Sequence, residues 1–233
     1  ELIDCLNDVS IPFYRTHHEA AAAIMAGTIG RLSGNPALAI SIKGPGLTNM
    51  LPGIALCHFE NYPLLAVCES YDEKSPKLIG HKGIDQDGLV NTISKGSYYY
   101  NDDITRFESA FSLSKSGTSG PVLINLAKGD EHIFGNTGLI SEKPIQTIST
   151  LIEECRKPII IAGSSALRLG LSNELSKLNL PIFTTLAAKG LIDENLNYSA
   201  GIYTGSGEKI APEFQLFSES DLIIGLGLRE NEL

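Results

Sequence analysis

Short apolar runs recur along this chain, each bounded by turn residues and separated from the next by a segment of helical length. Residues 37–42 read ALAISI, 63–68 PLLAVC, 96–100 GSYYY and 122–126 VLINL; later come 158–162 PIIIA, 181–185 PIFTT and 221–226 DLIIGL. Runs this short, apolar without strict alternation, suit strands buried on both faces of a parallel sheet. Between them, residues 47–59 read as a helix with Thr48 near its cap and Pro52 in its first turn. The spacing of Ile104, Phe107 and Phe111 predicts another helix, and residues 171–178 a third. Strand and helix in alternation with short connections predict an α/β protein with two doubly wound parallel-sheet domains.

The pattern dissolves into Gly, Asn, Ser, Lys and Pro between about residues 130 and 147. The expected organisation is a first domain over 1–130, a linker over 131–147 and a second, Rossmann-like domain over 148–233. The opening ELIDCLND already reads as an amphipathic helix, and the chain stops just past its last strand unit. Both domains are therefore expected to be truncated, the first at its start and the second at its end.

The formal net charge is −9, which argues against a nucleic-acid or anionic-membrane partner. Cys5, Cys57, Cys68 and Cys155 are scattered without C-x-x-C spacing and read as free thiols of a reducing, cytoplasmic compartment. No apolar run approaches the roughly 18–20 residues of a membrane-spanning helix.

Chemistry concentrates in residues 17–49, HHEAAAAIMAGTIGRLSGNPALAISIKGPGLTN. Glu19 opens a helix of small apolar residues. Gly44-Pro45-Gly46 follows a strand, and in open α/β sheets ligands sit beyond the carboxyl ends of strands. Glycine there admits a close approach, and Thr48 and Asn49 add N–H and side-chain partners. Each feature also has a plain structural reading: an acid at the positive end of a helix dipole, and a sharp turn that starts a helix. The Gly-Lys-Ser/Thr of a phosphate-binding loop is absent, and no metal-ligand set is visible.

Taken in order, His18-Glu19, Gly27, Ser33-Gly34, the run at 37–42 and Gly44-Pro45-Gly46-Leu47-Thr48-Asn49 resemble the pyrimidine-binding domain of thiamine-diphosphate-dependent enzymes. The group is that of acetolactate synthase and the 2-oxo-acid decarboxylases. The likeness continues through Asn61-Tyr62-Pro63-Leu64-Leu65, Asp85-Gln86, Thr92-Ile93-Ser94-Lys95 and Ser119-Gly120-Pro121-Val122-Leu123-Ile124. Residues 157–163 (KPIIIAG), Thr185-Leu186, 189–192 (KGLI) and 220–229 (SDLIIGLGLR) resemble the central domain of that family.

The resemblance implies that Glu19 hydrogen-bonds N1′ of the cofactor's aminopyrimidine and promotes loss of the thiazolium C2 proton. Gly44, Pro45, Gly46, Thr48 and Asn49 would line the cofactor. A glutamate with this task needs a pKa above its ordinary value of about 4.3, and the apolar residues at 20–25 are expected to supply the shelter that raises it. The implied reaction is decarboxylation of a 2-oxo acid with carboligation. The alternatives are a decarboxylase or lyase acting on a 2-oxo acid or acyl-CoA, or a non-catalytic domain pair with a relic site; a sirtuin-like or NAD-binding protein lacks its G-x-G-x-x-G fingerprint. Thiamine diphosphate would be the cofactor, with Mg2+ held through a diphosphate-binding domain that these residues do not contain. Because the cofactor lies between subunits in that family, a homodimer or homotetramer is implied.

The sequence also departs from the family. His81-Lys82-Gly83 stand where acetolactate synthase-like members carry Phe-Gln-Glu, which places His81 and Lys82 in the expected substrate pocket as carboxylate or proton partners, or in an exposed loop. Lys128 matches a lysine near the substrate entrance, or is a solvated lysine after a strand. FAD is possible at 163–165, 189–190 or 201–207, but nothing in those loops supports it.

Overall fold

The computed structural model describes residues 11–75, 80–134, 145–229 and 232. The opening amphipathic stretch, Cys5 and residues 135–144 of the expected linker lie outside the described residues. The chain divides into two compact units, Glu1–Leu139 and Ile140–Leu233.

In the first unit the elements run α1 (Glu19–Ser33), β1 (Ala37–Ser41), α2 (Pro45–Glu60), β2 (Leu64–Glu69), α3 (Gln86–Val90), β3 (Gly96–Tyr99), α4 (Thr105–Lys115), β4 (Pro121–Leu126) and β5 (His132–Ile133). The sheet order is β1-β2-β4-β3-β5. The pairs among β1 to β4 are parallel, and β5 adds an antiparallel edge to β3. The sheet is covered on both faces. Leu64, Ala66 and Cys68 of β2 join Leu47, Met50 and Ile54 of α2 on one side. Leu65 and Val67 join Tyr98, Val122, Ile124 and Ala110 on the other. This two-sided burial explains why β2 and β4 read as unbroken apolar runs.

Of the three consecutive tyrosines, Tyr98 packs in that second cluster. The Tyr99 hydroxyl donates to Asp87, and Tyr100 meets the Phe107 ring edge-on. Cys57 and Cys68 are buried free thiols, pushed by burial up to about 12 and about 11, and Cys155 is a half-buried free thiol.

Helix α1 lies unusually close to α2. A Cβ added at Gly53 would stand 2.6 Å from both the Ala20 carbonyl oxygen and the Ala23 Cβ. One added at Gly27 would stand 2.2 Å from Cys57 Sγ, and one at Gly30 2.1 Å from the Pro63 carbonyl oxygen. Small residues therefore set the separation of the two helices. The expectation that residues 20–25 shelter Glu19 is corrected here. Ala23 is buried against α2, whereas Ile24 and Met25 face outward, 38% and 47% exposed. The start of α2 also differs from expectation. Gly44 is its cap and Pro45 its first residue, because proline's fixed φ suits that position and its missing N–H costs nothing there. Thr48 lies inside the helix with its hydroxyl donating to the Pro45 carbonyl, and Pro52 falls in the second turn.

The second unit contains α5 (Ile145–Glu154), β6 (Pro158–Ala162), α6 (Ser164–Arg168), α7 (Ser172–Ser176), β7 (Ile182–Thr184), a 3-10 turn (Leu186–Ala188), β8 (Ser199–Ile202), α8 (Glu213–Glu219) and β9 (Leu222–Leu226). Its sheet order is β8-β7-β6-β9, all parallel, around a core of Ile160, Ala162, Leu175, Ile182 and Leu191. The first strand lies inside and the chain winds outward both ways, as a doubly wound sheet requires. Gly201 and Ile202, counted with the loop at 201–207, instead belong to strand β8, which pairs with β7.

Replacing Gly53 by Ala is expected to destabilise the protein by about 1–3 kcal/mol, because overpacking outweighs the gain in helix propensity. Urea denaturation checks this, with Ala21→Gly on the exposed face of α1 as the control for propensity alone.

Candidate active site

Glu19 is the first residue of α1, where His18 caps the helix by accepting the Ala20 N–H on its ring nitrogen. The Glu19 carboxylate is half-buried, and its Oε2 accepts a hydrogen bond from Asn49 Nδ2 at 3.2 Å. That contact crosses from α1 to α2 one turn from the close approach of Gly53 to Ala20 and Ala23. The helix–helix distance thus brings together two residues thirty positions apart. Pro45, Thr48 and Asn49 are exposed on the first turns of α2, beside this carboxylate.

The Gly-Pro-Gly turn is held from behind by a buried amide. Gly44 has φ 64° and its N–H donates to Gln86 Oε1 at 3.1 Å. The Gln86 amide nitrogen donates to Asn125 Oδ1 at 2.7 Å and to the Glu69 carbonyl at 3.3 Å. Asn125 in turn donates to one oxygen of Asp87 at 3.0 Å, and the Tyr99 hydroxyl donates to the other at 2.8 Å. Burial, reinforced by that bond, raises the Tyr99 hydroxyl above its usual range, so Tyr99 acts only as a donor here. Glycine is required at 44 on two counts. Its φ is positive, and a Cβ would stand 2.3 Å from the Lys82 carbonyl oxygen. The close approach at Gly44 is thus made by the chain itself, and the same holds at Gly46, where a Cβ would meet Ile42 and Ser41.

Beside the turn lies a shallow cleft at the carboxyl ends of β1, β2 and β3. Lys43, Ser70, Tyr71, Lys82, Gln86 and Tyr99 are among its lining residues. Lys43 Nζ lies 2.6 Å from Glu69 Oε1 and 5.0 Å from the centroid of the Tyr71 ring. The hydrogen bond from Lys43 holds the Glu69 carboxyl below its usual range, and Lys82 adds to the effect.

Of the substrate-pocket candidates, Lys82 lines the cleft. His81 is exposed and contributes its carbonyl to the Tyr71 hydroxyl. Lys128 is exposed, with its backbone N–H donating to Asp72. Among the cleft residues, Lys43 and Tyr71 carried no role in the sequence reading, and Gln86 entered it only within the Asp85-Gln86 pair of the resemblance. Lys43 stands directly before the glycine turn, a basic residue at a strand's carboxyl end. Nothing in the neighbours of Gln86 announces its burial.

In the second unit, Gly163-Ser164-Ser165 follow β6 at the edge it shares with β9. The Ser164 N–H, the Ser164 hydroxyl, the Thr185 hydroxyl and Arg229 Nε all donate to the carboxylate of Glu232. Burial works to raise this carboxyl, but those hydrogen bonds outweigh it and hold it below its usual range. A Cβ at Gly163 would stand 2.4 Å from the Gly227 carbonyl oxygen. Among the described residues no group of three or more His, Cys, Asp or Glu is arranged to hold a metal ion, and no helix is long and apolar enough to cross a membrane.

Two family profiles match the chain. That for "Thiamine pyrophosphate enzyme, N-terminal TPP binding domain" matches residues 1–91, and that for "Thiamine pyrophosphate enzyme, central domain" matches residues 145–233. The chain belongs to the thiamine pyrophosphate enzyme family. Among similar curated proteins, a probable acetolactate synthase large subunit of Methanococcus aeolicus is 34% identical over 97% of this chain. One of Methanocaldococcus jannaschii is 31% identical over 97% of the chain, and an acetolactate synthase of Arthrospira platensis is 29% identical over 94%. The chain spans 41–42% of the length of these relatives. Thiamine diphosphate is the cofactor of this family, and the residues present are suited to it: a half-buried carboxylate, oriented by an amide, beside the exposed first turns of a helix.

Gln86→Leu leaves the Gly44 N–H and Asn125 Oδ1 buried without partners. The expected loss is about 2–4 kcal/mol of unfolding free energy, measured by urea denaturation.

Proposed function

We propose that this chain forms the pyrimidine-binding and central domains of an acetolactate synthase-like enzyme, one that decarboxylates a 2-oxo acid and joins the remaining fragment to a second 2-oxo acid. The observation that carries the reading is the Glu19–Asn49 contact beside the Gly44–Gly46 turn, in a chain whose curated relatives bear that name. In this reading residues 1–130 form the pyrimidine-binding domain, 131–147 the linker and 148–233 the central domain.

Thiamine diphosphate, when bound, supplies a carbon that attacks the 2-oxo acid and holds the negative charge left by decarboxylation. The chain's own residues have simpler tasks. Glu19 holds the N1′ edge of the aminopyrimidine and exchanges a proton with it through its carboxylate. Asn49 engages the other side of that carboxylate and fixes its orientation, as a preorganised site requires. Gly44, Pro45, Gly46 and Thr48 shape the wall against which the ring lies. The half-exposure of Glu19 within one chain is matched to a cofactor shared between subunits, whose ring and neighbouring subunit would complete its burial. Outward-facing Ile24, Met25, Ile29 and Leu32 on α1 support an assembly of at least two chains. Mg2+ serves the diphosphate through a diphosphate-binding domain, in the cytoplasm, and FAD has no part in this reading. Lys82, standing in place of the family's glutamine, favours as a second reading a decarboxylase or lyase of the same family with a different acceptor.

Glu19→Gln in the full-length protein, loaded with thiamine diphosphate and Mg2+, is expected to lower kcat by roughly 10²–10⁴-fold. The assay is acetolactate formation from pyruvate, with carbon dioxide release followed in parallel. Wild-type turnover in the variant would refute the role given to Glu19.

A further inference from the structure

Lys43 carries an ammonium group to the wall of the cleft beside the glycine turn, and nothing in the reading above assigns it a task. Its side chain is 18% exposed, so the charge is partly desolvated and requires a partner. The partner is the carboxylate of Glu69, itself 51% exposed and outside the cleft lining. An ion pair with one end so open to water holds only weakly and exchanges readily. The Tyr71 ring, 5.0 Å from the ammonium, keeps Lys43 at this position without supplying the negative charge it takes. Tyr71 also donates its hydroxyl to the His81 carbonyl, which ties down the loop that brings Lys82 against Gly44. The cleft wall therefore bears two cations, Lys43 and Lys82. The acid among its lining residues, Asp72, accepts the Lys128 backbone N–H.

The geometry points to Lys43 as the residue that binds the carboxylate of the 2-oxo acid, with Glu69 as an internal carboxylate that the substrate displaces. The cleft and the Glu19–Asn49 contact are built on the same element: Lys43 directly precedes the cap of α2, and Asn49 lies on that helix's second turn. Gln86 links them further, since it holds the Gly44 N–H and the Glu69 carbonyl at once. A substrate carboxylate at Lys43 is thus anchored by the same turn that lines the proposed ring site. No bond is made or broken at Lys43; its part is to bind and orient.

This inference rests on the enzyme reading, and one experiment separates the two. Full-length wild type, Lys43→Met and Lys43→Arg are loaded with thiamine diphosphate and Mg2+, and cofactor binding is followed by circular dichroism. Each is then titrated with whichever of pyruvate, 2-oxobutyrate and phenylpyruvate the wild type turns over fastest. Loss of one charge-assisted hydrogen bond is expected to raise the half-saturating concentration about 10- to 100-fold in Lys43→Met, with kcat within about threefold of wild type. The cofactor signal stays equal, and Lys43→Arg recovers most of the loss. Glu69→Gln removes the competing carboxylate and lowers the half-saturating concentration. Equal saturation of Lys43→Met and wild type, with the cofactor signal present in both, overturns the role of Lys43 alone. A wild type with no cofactor signal or no turnover of any of the three acids overturns the enzyme reading and this inference with it.

Discussion

The close approach of α1 to α2 is the constraint on which the site depends. Gly53 against Ala20 and Ala23, and Gly27 against Cys57, leave no room for larger side chains between the helices. Interiors pack as densely as organic crystals, so a single added methyl must be absorbed by movement of a whole helix. Glu19 sits at the mouth of that contact and Asn49 opposite it. The run of alanines after Glu19 serves helix packing, and through packing it sets the position of the carboxylate. Shelter for that carboxylate is a separate matter. Within one chain Glu19 remains half-buried, and its neighbours Ile24 and Met25 point away from α2.

A second constraint comes from beneath the turn. Gln86 is buried and spends its amide on three partners from three parts of the first unit: the cap of α2, the end of β2 and Asn125 of β4. A buried polar network with every member paired is rigid, because any movement leaves a desolvated group unmatched. The positive-φ conformation of Gly44 is held by that network and by the Lys82 carbonyl. The central unit treats the corresponding edge of its own sheet differently. There the donors after β6 and β7 converge on Glu232, so the hydrogen-bonding capacity at that edge is met from within the chain.

Much of the fold was legible in the sequence because burial on both faces leaves an unambiguous mark. Runs such as PLLAVC and PIIIA have no polar side to place, and both became inner parallel strands. Two short edge strands carry no such mark: His132–Ile133 and Ser199–Ile202 are half-buried or exposed and have no apolar run to announce them, whereas the other edge strands, β1 and β9, did read as apolar runs although one side of each is part-exposed. The helix start at Pro45 was misjudged because Thr48 is a better cap by type than Gly44, yet proline and a positive-φ glycine put the cap at Gly44, about one turn earlier. For the site, Glu19 and the glycine turn stood out through their order along the chain. The cleft did not, because Lys43, Tyr71, Lys82 and Gln86 converge only once the strands are laid side by side.

The central claim is that Glu19, oriented by Asn49, meets the cofactor's ring. A crystal structure of the full-length protein with thiamine diphosphate and Mg2+ tests it most directly. The account predicts N1′ of the aminopyrimidine within hydrogen-bonding distance of Glu19, Asn49 still donating to the same carboxylate, and the ring lying against the turn at Gly44–Gly46. A bound cofactor whose N1′ faces another group, with Glu19 directed into solvent, would contradict it.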